Sequence, residues 1–485
     1  WYEILVTTIY IINFLAIINL IFREKRSIEA TVAWVLVLTT APAIGCILYI
    51  AVGRGISKNN MFKIKEAEDK ILKENIIDTQ IKLDRNDNFE PNLIGYKDMI
   101  YALANSNNSH FTTNNDVEIF PEPNDFFESL LEELKKAKHH INIQFYIFKD
   151  DEIGNKIIDI LIDKAQNGVE VRLLYDAVGS RLFSDKSIHK LKKSGVKVGA
   201  FFPSFMKVIN FNLNYRNHRK IVVIDGKVGF IGGNNIGDEY LGKDPKFGYW
   251  RDTHLKITGD SVKDLNIRFI LDWRYTTKED LVLDKYFGNE TLRLSNSKAC
   301  KDIGIQIVSS GPDSTELDEI KYGYIKMIQK AKKYIYIQTP YFILDKTLTD
   351  TLKIACFSGV DVRIMIPSKP DHPFVYWASS SYAGELLKYG AKLYNYDHNA
   401  FLHAKTIVVD DCVCSIGTAN MDIRSFELNF EINAFMYSSE VAKKQRAIFE
   451  NDILKSKEIT LDMYNSRSRY MRLKESISRL LSPIL

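Results

Sequence analysis

Four stretches of this sequence recur, in the same order, in its second half. "HINIQFYIF" at 140–148 is answered by "YIYIQTPYF" at 334–342, and "GVEVRLLYD" at 168–176 by "GVDVRIMIP" at 359–367. "SGVKVGAFFP" at 194–203 returns as "YGAKLYNYD" at 389–397, and "NHRKIVVID" at 217–225 as "LHAKTIVVD" at 402–410. The offset runs from 185 residues (218 to 403) to 195 (194 to 389). That is too long for a solenoid repeat and of the length of a domain. In each copy, apolar β-rich runs such as 169–175 alternate with helical stretches such as 155–166, the pattern of α/β units around a largely buried sheet. The repeat therefore predicts two α/β domains facing each other, over 115–295 and 296–485, the second ending in a helical tail.

The last of the four stretches carries chemistry. Side chains two apart on a strand share a face, so His218 and Lys220 lie together, as do His403 and Lys405. Asp225 stands an odd seven positions from His218 and directly before Gly226, so it reads as closing a hairpin, with Asp410 as its counterpart. Past each aspartate a run of small residues ends in asparagine, "GGNN" at 232–235 and "GTAN" at 417–420. Small residues let backbone amides and Asn235 or Asn420 approach a phosphate. One such histidine on an apolar strand is more often packed than catalytic. Two equivalent sets make a symmetric anion pocket once the halves pair, with the imidazoles on opposite sides of one phosphorus. One histidine can then attack while the other protonates the leaving oxygen. The lysines offset phosphate charge, and no His, Asp, Glu or Cys cluster nearby has metal-ligand spacing, so neither metal nor cofactor is expected.

Composition excludes little beyond this. A formal charge of +4 on 485 residues neither implies nor rules out an anionic partner. Five scattered cysteines (Cys46, Cys300, Cys356, Cys412, Cys414) argue against a disulfide framework or a structural zinc, and fit a reducing compartment. Cys412 and Cys414 are expected in a buried strand. The N-terminus says more: residues 4–22 and 30–52 carry no charge and show no polar stripe, and each is long enough to cross a hydrocarbon core. They predict two transmembrane helices over 1–56, joined by a tight hairpin at "REKRSIE" (23–29). Three basic residues in that connection, against Arg54, Lys58, Lys63, Lys65 and Lys70 beyond the second run, vote for a cytoplasmic main domain with the connection outside. A linker is expected over 57–114. Within it 61–83 reads as a charged amphipathic helix that lies on the bilayer or packs on the domain.

"HRKIVVID" with "GGNN" and "HAKTIVVD" with "GTAN" resemble the paired HKD motifs of the phospholipase D superfamily. The likeness extends through "NYRNHRKIVVIDGKVGFIGGNNIGDEYLG", "YWRDTH", "IQTPYF", "DHPFVYWASSSYAGELL", "FLHAKTIVVDD" and "NMDIRSFELNFEIN" to bacterial cardiolipin synthases over nearly the whole chain. Ala400 stands where that family often carries glycine, and the chain begins at Trp1 rather than methionine. The resemblance implies a pseudo-twofold pair of phospholipase D-like α/β domains with the active site between them, behind a two-helix membrane hairpin. It implies joining of two phosphatidylglycerol molecules into cardiolipin with release of glycerol, and counts Asp225 and Asp410 with the histidines and lysines as motif residues. It also points to Asp252 in "WRDTH" and Glu431 in "NFEIN" as the carboxylates that orient the histidines, a role that fixes a ring tautomer and supports an imidazolium. By the same likeness His218 is the nucleophile; the chemistry then asks for a neutral His218 and a protonated His403 at the start, with His403 the acid and then the base.

Three readings compete: a membrane phosphatidyltransferase, a phosphodiesterase or nuclease of the same superfamily that uses water, and a noncatalytic lipid-binding membrane protein. The two apolar runs speak against a nucleic-acid substrate, and two complete motifs against a mere binder. The stretch "FFPSFMKVINFNLNY" at 201–215, with the single charge Lys207, reads as a loop dipping toward acyl chains.

Overall fold

The computed structural model describes residues 1–22, 28–52, 91–107, 109–203, 215–279, 281, 302–313 and 318–482. The amphipathic segment expected at 61–83 and all but the ends of the 201–215 loop lie outside them.

Each half is built on one sheet, and the two sheets share a central order. In the first half the strands run Val228–Gly232, Ile221–Ile224, His140–Phe145, Glu170–Asp176 and Lys197–Phe201. In the second they run Val413–Gly417, Thr406–Val409, Tyr334–Gln338, Asp361–Ile366 and Lys392–Asn395. The last three strands of each set are parallel and linked by crossover helices, as strands buried on both faces require. Outside these cores lie equivalent antiparallel strands, His254–Gly259 in one half and Asn429–Tyr437 in the other.

The motif strands end in three-residue hairpin loops, 225–227 and 410–412. Asp225 and Gly226 have φ of 54° and 66°, Asp410 and Asp411 of 54° and 56°, the left-handed pair that a tight β-hairpin turn needs. Asp225 accepts from the backbone N–H groups of Lys138, His139 and His140, at 2.7 to 2.9 Å. Asp410 does the same for Lys332, Lys333 and Tyr334, at 2.6 to 2.9 Å. Each aspartate thus ties its turn to the start of the central strand. Cys414 is buried in a strand as expected, whereas Cys412 sits half-buried at the turn.

Residues 91–112, expected as linker, add to the second core instead. Met99, Ile100 and Leu103 of the helix Lys97–Asn107 are fully buried with Val308, Ile320 and Tyr324, and Phe111–Thr112 pairs with Gly304–Ser310. The apolar spacing of Met99, Ile100 and Leu103 gives that helix a face to bury.

At the N-terminus, α1 (Tyr2–Phe22) is one continuous helix of 21 residues, long and apolar enough to cross a membrane. The second apolar run, expected as one helix over 30–52, is two: α2 (Ile28–Thr40) and α3 (Pro42–Val52). Pro42 has no N–H to give the carbonyl four residues back, so the helix stops at Thr40. That orphaned carbonyl is Leu38 O, and the buried Asn13 of α1 donates to it at 3.0 Å and to Pro42 O at 2.9 Å. The chain then doubles back. Trp34 and Tyr49, 15 positions apart, have ring centroids 5.4 Å apart, and a Cβ on Gly45 would come within 2.7 Å of Val37 O.

Candidate active site

The two halves exchange short strand pairs where the motifs meet. Arg216–Asn217 runs parallel to Asn429–Phe430, and Tyr249–Arg251 parallel to Ala400–Leu402. The His218 amide donates to Phe430 O at 2.9 Å and the His403 amide to Arg251 O at 2.7 Å. The next residue after each of those carbonyls is a carboxylate aimed at the same histidine. His218 Nδ1 lies 2.9 Å from both oxygens of Glu431, and His403 Nδ1 lies 2.6 Å from Asp252 Oδ2. Each imidazole therefore takes its carboxylate from the opposite half. A carboxylate on Nδ1 keeps the proton there and turns the Nε2 lone pair outward.

Both histidines, with Asn235 and Asn420, line one cleft of about 770 Å³ between the halves. Lys220 and Lys405 are buried behind them, each donating to the carbonyl of its own histidine. Asn235 is held by Ile147 N–H and Tyr240 Oη, both at 3.1 Å. Asn420 Oδ1 is buried without a hydrogen-bond partner among the described residues, a polar atom ready for a ligand. Asp225 and Asp410 do not join this group. They sit at the far ends of the motif strands, on the backbone amides described above, which corrects their placement among the catalytic residues. Burial works against ionisation of Asp225, and its three N–H bonds still hold its pKa below the usual carboxylate range.

Charge in the cleft is set by desolvation. Burial pushes both imidazoles down to about 4, with Lys405 adding to the effect at His403, against the pull of Glu431 and Asp252. Burial likewise pushes Lys220 down to about 7 and Lys405 to about 8. The same burial opposes ionisation of Glu431 and Asp252. The histidines and lysines beside them nonetheless keep both below the ordinary range. Both histidines of the cleft are thus neutral near pH 7, which suits His218 as a nucleophile but differs from the protonated His403 expected above. The negative charge of an incoming phosphodiester, placed between them, raises both.

The dyads differ in a way the motifs conceal. Gly233 and Thr418 hold equivalent places in "GGNN" and "GTAN". Thr418 Oγ1 donates to Glu431 Oε2 at 2.6 Å, and Asn429 Nδ2 to Glu431 Oε1 at 3.2 Å. At Gly233 a Cβ would come within 1.9 Å of Asp252 Oδ1, so glycine is what leaves room for that carboxylate. Gly233→Ala is expected to shift Asp252 off His403 and lower turnover by about 10²-fold with the fold intact by circular dichroism. Wild-type turnover from the purified variant would refute this.

Aromatic rings complete the walls: Tyr146 lies 5.0 Å from the His218 ring and Trp250 5.1 Å from the His403 ring. Sequence reasoning passed over Tyr146, Trp250, Arg216 and Arg424, which also line the cleft. The only signal for Trp250 and Arg216 was adjacency to motif residues. Among the described residues no group of three His, Cys, Asp or Glu side chains could hold a metal ion.

The family described as "Cardiolipin synthase, PLD-like domain" matches residues 130–245 and 324–453, one match for each half of this cleft. The chain belongs to the cardiolipin synthase family. A second description, "Phospholipase_D-nuclease N-terminal", matches residues 11–54. Relatives within the family extend over the whole chain. It is 48% identical to the major cardiolipin synthase ClsA of Bacillus subtilis (100% of this chain, 99% of that one). It is 47% identical to the cardiolipin synthase of Oceanobacillus iheyensis (98% of each) and 48% identical to that of Staphylococcus aureus (98% and 95%). Among solved structures, phosphatidylserine synthase of Haemophilus influenzae aligns with a TM-score of 0.60 at 17% identity, covering 80% of this chain and all of that one. That likeness concerns the fold.

Proposed function

We propose that this protein is a membrane-bound cardiolipin synthase that moves a phosphatidyl group from one phosphatidylglycerol to the primary hydroxyl of another. The observation that carries the reading is the pair of reciprocal histidine–carboxylate dyads on one cleft. His218 Nε2 attacks phosphorus, a P–N bond forms, and the P–O bond to glycerol breaks. His403 gives that glycerol oxygen its proton. In the second half-reaction neutral His403 takes the proton of the incoming hydroxyl, its oxygen attacks phosphorus, and the P–N bond to His218 breaks. Lys220, Lys405 and the asparagines hold the nonbridging oxygens. The direct test is purified protein with phosphatidylglycerol alone: cardiolipin and glycerol should appear in equal amounts. Phosphatidic acid with no cardiolipin would make water the acceptor and reject the synthase reading.

The two pKa sets predict the pH profile of kcat/KM, which reports the free enzyme. Activity should peak near 4, where His218 has lost its proton and His403 still holds the one it donates. Above that it should fall as His403 loses its proton, and more steeply above about 7 to 8 as Lys220 and Lys405 lose theirs. The limbs belong to coupled groups rather than to single residues. A slope unchanged through pH 9 would remove the lysines from phosphate neutralisation.

The same reading places the catalytic halves at the cytoplasmic face of a bilayer, with one full span and a re-entrant hairpin in place of two spans. At 1.5 Å per residue α1 reaches about 31 Å, α2 about 20 Å and α3 about 16 Å, and only α1 matches a hydrocarbon core of roughly 30 Å. Asn13, near the middle of α1, meets the hairpin tip at Leu38 and Pro42, so the tip reaches the midplane. Carbonyls freed by Pro42 would cost several kcal/mol in lipid unless bonded, the role Asn13 fills. In this arrangement Arg23, Lys25 and Arg26 share a side with Arg54 and the lysines beyond it, which strengthens the basic-residue vote. In a chain freed of its native cysteines, Ser27→Cys and the exposed domain site Asn451→Cys should resist an impermeant maleimide on intact cells and react after permeabilisation. Tyr2→Cys should react on intact cells. Labelling of Ser27→Cys but not Asn451→Cys on intact cells would restore two spans, and labelling of both would keep the hairpin and reverse the orientation.

A further inference from the structure

The C-terminal helix Arg469–Leu481 is amphipathic in the wrong sense for a protein in water. Its polar residues Glu475 and Ser478 are buried, at 4% and 0% exposure. Its large apolar residues Tyr470, Leu473, Ile477 and Leu480 are 67%, 57%, 45% and 63% exposed. Their spacing of three, four and three puts them in one stripe along the outer face. The inner face is fixed by specific bonds, so the orientation is built in. Arg467 donates to Glu475 at 2.9 and 3.1 Å, Arg479 pairs with Glu385 at 2.6 Å, and Tyr382 Oη meets Ser482 Oγ at 3.0 Å. A helix that pins its polar side to the domain and turns its apolar stripe outward has a partner on that stripe.

Two further observations say what the partner is. Besides Arg479, held by Glu385, the helix carries Arg469, Arg472 and Lys474 against the single acid Glu475, which is buried, so its outer rim is basic. It also stands at the cleft. It packs on the helix Pro373–Leu386, whose first turn exposes Phe374, and Ser482 at its end lines the cleft with His372 and Val375. Apolar stripe, basic rim and adjacency to a lipid-sized opening are the features of an interfacial helix in an anionic bilayer.

We propose that Arg469–Leu481 lies in the headgroup–acyl boundary of an anionic membrane and holds the mouth of the cleft at the lipid surface. The stripe sinks among acyl chains, the basic residues meet lipid phosphates, and a phosphatidylglycerol can enter the cleft without leaving the bilayer. The part of this that concerns substrate entry rests on the phosphatidyl-transfer reading of the cleft. The docking itself does not.

The test has one arm for each. In the full chain, freed of native cysteines and placed in nanodiscs containing phosphatidylglycerol, a nitrobenzoxadiazole probe on Leu480→Cys should be quenched by lipids with a doxyl group in the acyl chain. The same probe on Asn451→Cys should not. Equal quenching at the two sites, or none at Leu480, overturns the proposal. So does a dimer in the native chain that Leu473→Glu/Leu480→Glu dissolves while the probe stays unquenched, because a second copy would then cover the stripe. In the second arm, that double variant should raise the apparent KM for phosphatidylglycerol in vesicles at least fivefold. Turnover of a short-chain phosphatidylglycerol dissolved below its micelle concentration should stay at the native level. Equal loss on both substrates would make the helix a support of the cleft and overturn the proposal. A native protein inactive on both, with the Leu480 probe quenched, would instead reject the transfer reading and leave the docking standing.

Discussion

His218→Ala is expected to abolish both turnover and the covalent adduct, a fall of about 10⁵-fold or more. His403→Ala should stop turnover with phosphatidylglycerol yet still form adduct slowly from a p-nitrophenyl phosphodiester, whose leaving group needs no proton. The two histidines are matched in burial, and each is held by a carboxylate from the other half, so local geometry alone does not rank them. What separates them is the company they keep. Glu431 presents both oxygens to His218 and is itself braced by Thr418 and Asn429. Asp252 gives one oxygen to His403 and uses the other for Thr253 N–H, at 2.7 Å. The more firmly oriented ring suits the residue that must hold a covalent bond. Mass spectrometry of acid-quenched protein decides it: an adduct on His403 would exchange the roles.

Replacing the orienting carboxylates by amides tests the dyads without changing shape. Glu431→Gln should reduce turnover about 10³- to 10⁴-fold, because a glutamine Nε2 facing Nδ1 forces the proton to Nε2, where His218 needs its lone pair. Adduct should fail to form. Asp252→Asn should cost a similar factor in turnover while adduct from the p-nitrophenyl ester persists, since the wrong tautomer then sits on the acid rather than the nucleophile. Both carboxylates are wholly buried, and leaving a buried charge unpaired is costly. The amides are therefore safer probes than alanine, and thermal unfolding of each variant separates lost chemistry from lost fold. Equal loss of adduct in the two variants would mean that the dyads act as one unit.

Much of this is legible in the sequence. The repeat is visible because both halves need the same buried strands, and burial on two faces leaves a sequence little choice but runs such as "IVVI" and "TIVV". His218, Lys220, His403 and Lys405 were readable because a spacing of two has a fixed meaning on a strand. Asp252 and Glu431 were found through resemblance alone, since a partner 151 or 213 positions away leaves no local trace. The division of labour between Gly233 and Thr418 was hidden for the same reason: it depends on which carboxylate crosses over. Pro42 did stand in plain view within the second apolar run. Hydrophobicity reports what a segment can be buried in, whereas the direction it takes there depends on one missing N–H and on Asn13 waiting across the way.

The crossing of the dyads also bears on descent. Neither half owns a complete site, so a chain with one motif would need a second copy of itself, each lending the other its carboxylate across a twofold axis. In such a homodimer both histidines would be bound by symmetry to identical surroundings, and nucleophile and acid could differ only by the accident of which side the substrate entered. Joining two copies in one gene lifts that constraint. Each half can then mutate alone, and the glycine beside one carboxylate and the threonine beside the other are what such independence leaves behind.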